Sequence, residues 1–158
     1  MQNNHHSDSL KAKQNLEVSI AARVCSAGMA KEAVVAAFLR CRQNGTPFID
    51  ELYGADGMDR RLITRCLAEE AGLDFEEISS CRHIIAPEPK FSGLRGTSQV
   101  LAVTEDLTIK IFRLPTLSRI AAIKQKLARS GNEGVREHLV SPRCLTELLL
   151  SRHADRLA

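Results

Sequence analysis

The sequence predicts an α+β protein: a helical N-terminal half of two helix–turn–helix units, then a small ββαβα half of sheet and helices. Three observations carry this. Up to Gly72 the apolar residues recur at helical spacing, with no strand-like alternation. Beyond it come two β-rich runs, residues 99–103 (QVLAV) and 107–112 (LTIKIF), followed by stretches that alternate between helix and strand character. Charge divides in the same way. Residues 1–89 hold 10 Lys/Arg against 13 Asp/Glu, a balance of −3, and residues 90–158 hold 12 against 6, a balance of +6. The predicted organisation is a disordered leader over 1–8, a helical subdomain over 9–72 and a ββαβα subdomain over 73–158.

The elements follow in order. Leu16, Ile20 and Val24 stand four apart and mark a helix from about Ser9 to Cys25, which Gly28 breaks. A second helix runs from Ala30 to Gln43, with Val34, Val35, Phe38 and Leu39 on one face, and Asn44-Gly45 ends it as a C-terminal cap. Pro47 opens a short helical piece whose Phe48, Ile49, Leu52 and Tyr53 turn inward. Asp59 is an N-cap for a helix to Ala71 with Leu62, Ile63, Cys66 and Leu67 as its stripe, closed by Gly72. That stripe repeats the one at Val34 after 28 residues, each copy preceded by Gly-Met (Gly28-Met29, Gly57-Met58), so similar ridges are expected on both helices. Ile84, Ile85, Pro87 and Pro89 read as a connector.

The runs at 99–103 and 107–112, separated by Thr104-Glu105-Asp106, read as a hairpin. Pro115 starts a helix to about Arg129 carrying Ile120, Ile123 and Leu127, and Ser130-Gly131-Asn132 stops it. A short strand ends at Leu139-Val140. Ser141-Pro142 then opens the last helix through Leu145, Leu148 and Leu149.

Composition narrows the function classes. The chain has 158 residues, 44% of them hydrophobic and 26% charged, which argues against disorder, collagen and a membrane-spanning bundle. It has no Trp, one Tyr and five Phe, so the stacking platforms of sugar and single-strand nucleic-acid sites are scarce. No basic block of nucleic-acid type occurs, and no nucleic acid is expected as a partner. The basic half is either a solvated face or a surface for an anionic partner such as an acidic protein or the inner membrane surface. The five cysteines lack a CxxC pair and are odd in number, which favours buried thiols in a reducing cytoplasm over zinc or disulfides. No signal peptide or transmembrane run is visible, and a cytoplasmic location is expected.

No catalytic constellation has credible spacing. The Walker loop, the GxSxG elbow and the HExxH helix are all missing from the sequence. Gly93-Leu94-Arg95-Gly96-Thr97 precedes a strand and reads as a tight turn. Asp56 and Asp59 stand three apart and do not make an Asp-x-Asp metal pair. Glu69-Glu70 and Glu76-Glu77 are read as exposed carboxylates, and Cys144 and His138 have no evident partner. Catalytic, cofactor and metal residues are therefore all expected to be none. Arg60, Arg61 and Arg65 are the candidate anion or partner surface.

Residues 56–78, DGMDRRLITRCLAEEAGLDFEEI, resemble a stretch of the amino-terminal domain of type II secretion and pilus-assembly ATPases, and residues 135–150, VREHLVSPRCLTELLL, resemble that domain's closing strand and helix. QVLAVTED is similar to its middle strand. The leading helices and the final HADRLA look more like the version found ahead of bacterial family 2 glycosyltransferases that make exopolysaccharides. This resemblance implies a non-catalytic cytoplasmic regulatory or protein-interaction module, whose partner is another protein or the rest of a longer parent chain. The alternatives it leaves are a cyclic di-GMP sensor using Arg60, Arg61 and Arg65, or the docking domain of a secretion ATPase. Relatives that bind cyclic di-GMP begin their motif Arg-Leu-Gly and end it with Gln. Here the start reads Phe48-Ile49-Asp50, Gly57 alone matches, and no Gln stands at Glu69 or Glu70, which counts against the dinucleotide.

Overall fold

Helices fill the first half because nothing interrupts their apolar stripes except the glycines that end them. The computed structural model describes residues 3–55, 57–75, 81–86, 99–104, 107–131 and 137–157. Among these lie six helices, α1 (Asn3–Ser26), α2 (Lys31–Asn44), α3 (Phe48–Gly54), α4 (Arg60–Ala71), α5 (Leu117–Ser130) and α6 (Pro142–Leu157). The strands are β1 (Cys81–Ala86), β2 (Gln99–Thr104), β3 (Ile109–Arg113) and β4 (Glu137–Leu139), joined in one sheet in the order β1-β2-β3-β4. The chain is α+β, with helices leading and the sheet following, as the periodicity predicts.

Two differences from the prediction have physical causes. The leader is not separate: α1 begins at Asn3, because the first glycine is Gly28 and no proline stands before it to stop the helix. Residues from His6 to Asn15 are exposed, so this stretch of α1 carries no core contacts. The predicted connector at Ile84-Ile85 is a strand, and the second half runs βββαβα. Register shifts between Cys81 and His83 and between Ile84 and Ala86 break the period-two pattern by which β1 would have been recognised. Pro87, Pro89 and the turn at 93–97 lie outside the described residues.

The sheet mixes two kinds of pairing. β1–β2 and β2–β3 are antiparallel, with Leu101 opposite Ile111 and Val100 opposite Phe112. β3 and β4 are parallel, Arg113 opposite Leu139, so α5 is the crossover helix between them. Leu107 precedes β3 with a positive φ of 63°, the conformation that least suits a side chain with a Cβ.

The core has two centres. One packs α6 on the sheet through Val100, Ala102, Phe112, Val140, Leu145, Leu148 and Leu149. The larger one holds Ile20 and Val24 of α1, Val34 and Ala37 of α2, Phe48 and Leu52 of α3, and Ile63, Cys66 and Leu67 of α4. Ile120 and Ile123 of α5 and Leu139 of β4 belong to this larger cluster as well. The change of secondary structure at Gly72 is therefore not a boundary in the core, since α5 completes the helical half from the far side of the sheet sequence. Phe48 is fully buried and stacks on Phe38 with ring centres 4.0 Å apart and planes 14° from parallel. Burying a side chain of this size contributes roughly 1.5–3 kcal/mol.

Gly45 and Gly72 cap α2 and α4 at φ 66° and 85°, which lets the chain reverse where the stripes end. At Gly72 the turn also runs close to α5: a Cβ there would lie 3.1 Å from Leu127 Cδ1.

Candidate functional site

The predicted arginines occupy the first two turns of α4. Asp59 sets where they begin, since its carboxylate accepts from the backbone N–H groups of Arg61 (3.0 Å) and Leu62 (3.2 Å). Arg60, Arg61 and Arg65 are all exposed. Arg61 and Arg65, one turn apart, converge on Phe75, with guanidinium carbons 6.0 and 5.7 Å from the ring centre. Phe75 reaches them because the left-handed turn at Gly72 brings the chain back along α4. Arg60 lies on a different side of the helix, and its carbonyl accepts a 2.8 Å hydrogen bond from the Thr64 hydroxyl. That hydroxyl in turn accepts from the buried Tyr53 phenol at 2.7 Å, and burial pushes the phenol's pKa upward. The structure thus unites two of the three arginines into a cationic surface resting on an aromatic ring.

A second polar cluster was not foreseen. Glu69 is half-exposed, as expected of the Glu69-Glu70 pair, but the Glu70 side chain is only 3% exposed. Its Oε1 accepts from Ser19 Oγ at 2.8 Å and Lys124 Nζ at 3.1 Å, and its Oε2 accepts from Arg23 Nε at 3.0 Å. One carboxylate therefore ties α1, α4 and α5 together. Burial alone would raise its pKa, yet the hydrogen bonds from Ser19, Lys124 and Arg23 outweigh burial and hold it below the ordinary carboxylate range. The signal was in the spacing. Glu70 stands three after Leu67 and four after Cys66, on the buried stripe itself.

A smaller counterpart joins α2 to α3. Glu51 accepts from Thr46 Oγ1 at 2.6 Å and from Arg40 Nε at 2.9 Å, and these bonds lower its pKa.

Beside Glu70 opens a groove of about 1080 Å³ between α1, residues 45–50 and the start of α5. Leu16, Ile49 and Leu117 supply apolar lining, and Lys13, Asp50 and Lys124 supply charge. Lys124 is already engaged by Glu70.

The two predicted apolar ridges do not match. Ile63, Cys66 and Leu67 of α4 are core, but on α2 the buried residues are Val34 and Ala37. Val35 and Leu39, one turn apart, stay 48% and 54% exposed. The 28-residue repeat is one of sequence pattern only, because α2 is turned to bury a neighbouring stripe.

Cys66 is buried and its thiol lies 3.9 Å from the Arg23 carbonyl, while Cys25, Cys41 and Cys144 are half-buried free thiols. Burial, and after it the Glu69 charge, push the Cys66 thiol's pKa up, away from thiolate chemistry. His138 lies beside Phe112 with ring centres 5.7 Å apart. Among the described residues no three His, Cys, Asp or Glu side chains gather to hold a metal ion, and no helix is long and apolar enough to cross a membrane. These features define a mixed α+β fold in which Glu70 and Glu51 brace neighbouring helices. No family model matches the chain, and neither the curated proteins nor the solved structures contain one that is significantly similar to it.

Proposed function

We propose that this chain is a non-catalytic regulatory module that acts by contact with another protein surface, as its resemblance to the front domain of a membrane-bound family 2 glycosyltransferase implies. The observation that carries the reading is the pair Val35 and Leu39, half-exposed and one turn apart on a helix whose other apolar residues are buried or partly buried. An apolar pair at helical spacing offers a partner a contact that the fold itself does not use. One buried and one partly buried carboxylate support the same reading. Glu70 and Glu51 are engaged by neighbouring helices and serve the scaffold, leaving none of their hydrogen-bonding partners spare for chemistry.

The test is genetic and quantitative. Cells of the source organism carrying V35E/L39E, at wild-type protein abundance, are compared with wild type and with a deletion of residues 1–158 for secreted polysaccharide. Both changes are expected to lower output at least severalfold. Unchanged output in the deletion would overturn the link to polysaccharide synthesis, and a loss confined to the deletion would overturn the role of the α2 pair. The sensor reading is separated by calorimetric titration of the chain with cyclic di-GMP, where no heat is expected.

A further inference from the structure

We infer that the outer face of α5 is a contact surface for an anionic lipid bilayer. α5 holds Arg119, Lys124, Lys126 and Arg129 and no acidic residue. Lys124 is used inside the fold, where it pairs with Glu70. The other three side chains have no ion-pair or hydrogen-bond partner among the described residues, whereas salt bridges hold Arg23, Arg40, Arg113 and Arg143. Charge left unpaired along a whole helix face is a surface property, and it concentrates the positive balance of residues 90–158.

The geometry makes the charge a single stripe. Arg119 and Lys126 are seven residues apart and Arg129 is three further on, which places all three within about 80° of arc on a helix of 3.6 residues per turn. They span about 15 Å along the axis at 1.5 Å per residue. Ile120 and Ile123 face the core on the adjoining side of the helix, Ile123 about 40° around from the half-buried Arg119, so the stripe's direction is fixed by packing. Ala122, Ser118 and Gln125 fill the rest of the outer face, all exposed and none of them bulky enough to hold the cations off a flat surface.

The chemistry of this face selects its partner. It has no aromatic side chain on which a base could stack, as a nucleic-acid surface would use. It also has no large apolar anchor, as the centre of a specific protein interface would have. What remains is a row of cations suited to the diffuse negative potential of an anionic leaflet. The α2 pair is not part of this surface, so the inference stands independently of the protein-contact reading.

Each basic residue near an anionic surface raises binding about fivefold, and three together on the order of 100-fold, at low ionic strength. The full chain is therefore mixed with vesicles of phosphatidylglycerol and phosphatidylcholine, or of phosphatidylcholine alone, at low and at high salt, and the bound fraction is measured by sedimentation. Binding is expected to the anionic vesicles only, to be lost at high salt, and to fall on the order of 100-fold in R119Q/K126Q/R129Q. The control K11Q/K31Q/R42Q removes three exposed charges from α1 and α2 and is expected to keep most of the binding. Failure to bind anionic vesicles at low salt overturns the inference, as does an equal loss in the control. Stronger retention on a soluble acidic protein than on the vesicles also overturns it. Far-UV circular dichroism and thermal unfolding of the triple variant, matched to wild type, show that the fold is kept.

Discussion

Replacing Glu70 by Gln removes a negative charge from the point where α1, α4 and α5 meet and leaves the side-chain volume almost unchanged. The carboxylate is 3% exposed and accepts three hydrogen bonds, two of them from cations. Removing one member of a fully buried ion pair costs about 3–5 kcal/mol. Here Arg23 and Lys124 are themselves half-exposed and recover water when the carboxylate goes, so the loss is smaller. Gln keeps one acceptor for Ser19 but points an amide N–H₂ toward a cation. A cost of about 2 kcal/mol results, equivalent to a fall in Tm of roughly 4–8 °C for a chain of this length.

The pH dependence supplies the sharper check. The folded pKa of Glu70 lies below the ordinary value of 4.5, so its contribution is present above that value and is lost as pH falls through the folded pKa. Thermal unfolding of wild type and E70Q is measured from pH 7 down to pH 3. The gap between them should be full at neutral pH and should close on acidification below about pH 4.5. Equal Tm values at pH 7, or a gap that persists unchanged in acid, would refute the assignment of Glu70 as a charged brace.

Two further outcomes follow from the backbone. Gly72→Ala places a Cβ at φ 85° and 3.1 Å from Leu127 Cδ1, and is expected to lower stability by about 1–2 kcal/mol in urea unfolding; a neutral result would mean the α4–α5 approach is loose. Leu107→Asn is expected to raise stability by about 0.5–1 kcal/mol, because Leu107 is 75% exposed and held at φ 63°, where Asn is better accommodated; a loss would show that Leu107 makes a contact worth more than its strain.

Local signals located most of the elements. Asp59 caps α4 and Gly45 and Gly72 end α2 and α4 because those residues satisfy orphan backbone groups by their own chemistry, whatever the rest of the chain does. What required tertiary information was harder to read. β1 hides behind two register shifts, and Val35 cannot be told from Val34 until the rotation of α2 against α3 is known. Of the candidate site, the arginines were visible as a run, but their meeting at Phe75 depends on the chain reversal at Gly72. The spacing of Glu70 puts it on the buried stripe, but its role there is legible only when the cations opposite it are known. Those cations, Arg23 and Lys124, lie 47 and 54 residues away.

The place of α5 in the helical core has a consequence for how the chain is made. Synthesis delivers α1 to α4 before α5, which packs against α4, and Leu117 stands 45 positions after Gly72. At about 5–20 residues per second, the unfinished helical half waits roughly 2–9 s on the ribosome with an apolar face open to solvent. During that interval Ser19 and Arg23 have already been made, but the lysine that completes the Glu70 cluster has not. Lys124 arrives together with the isoleucines that close the core, so the step that dries the interface also completes its charge balance.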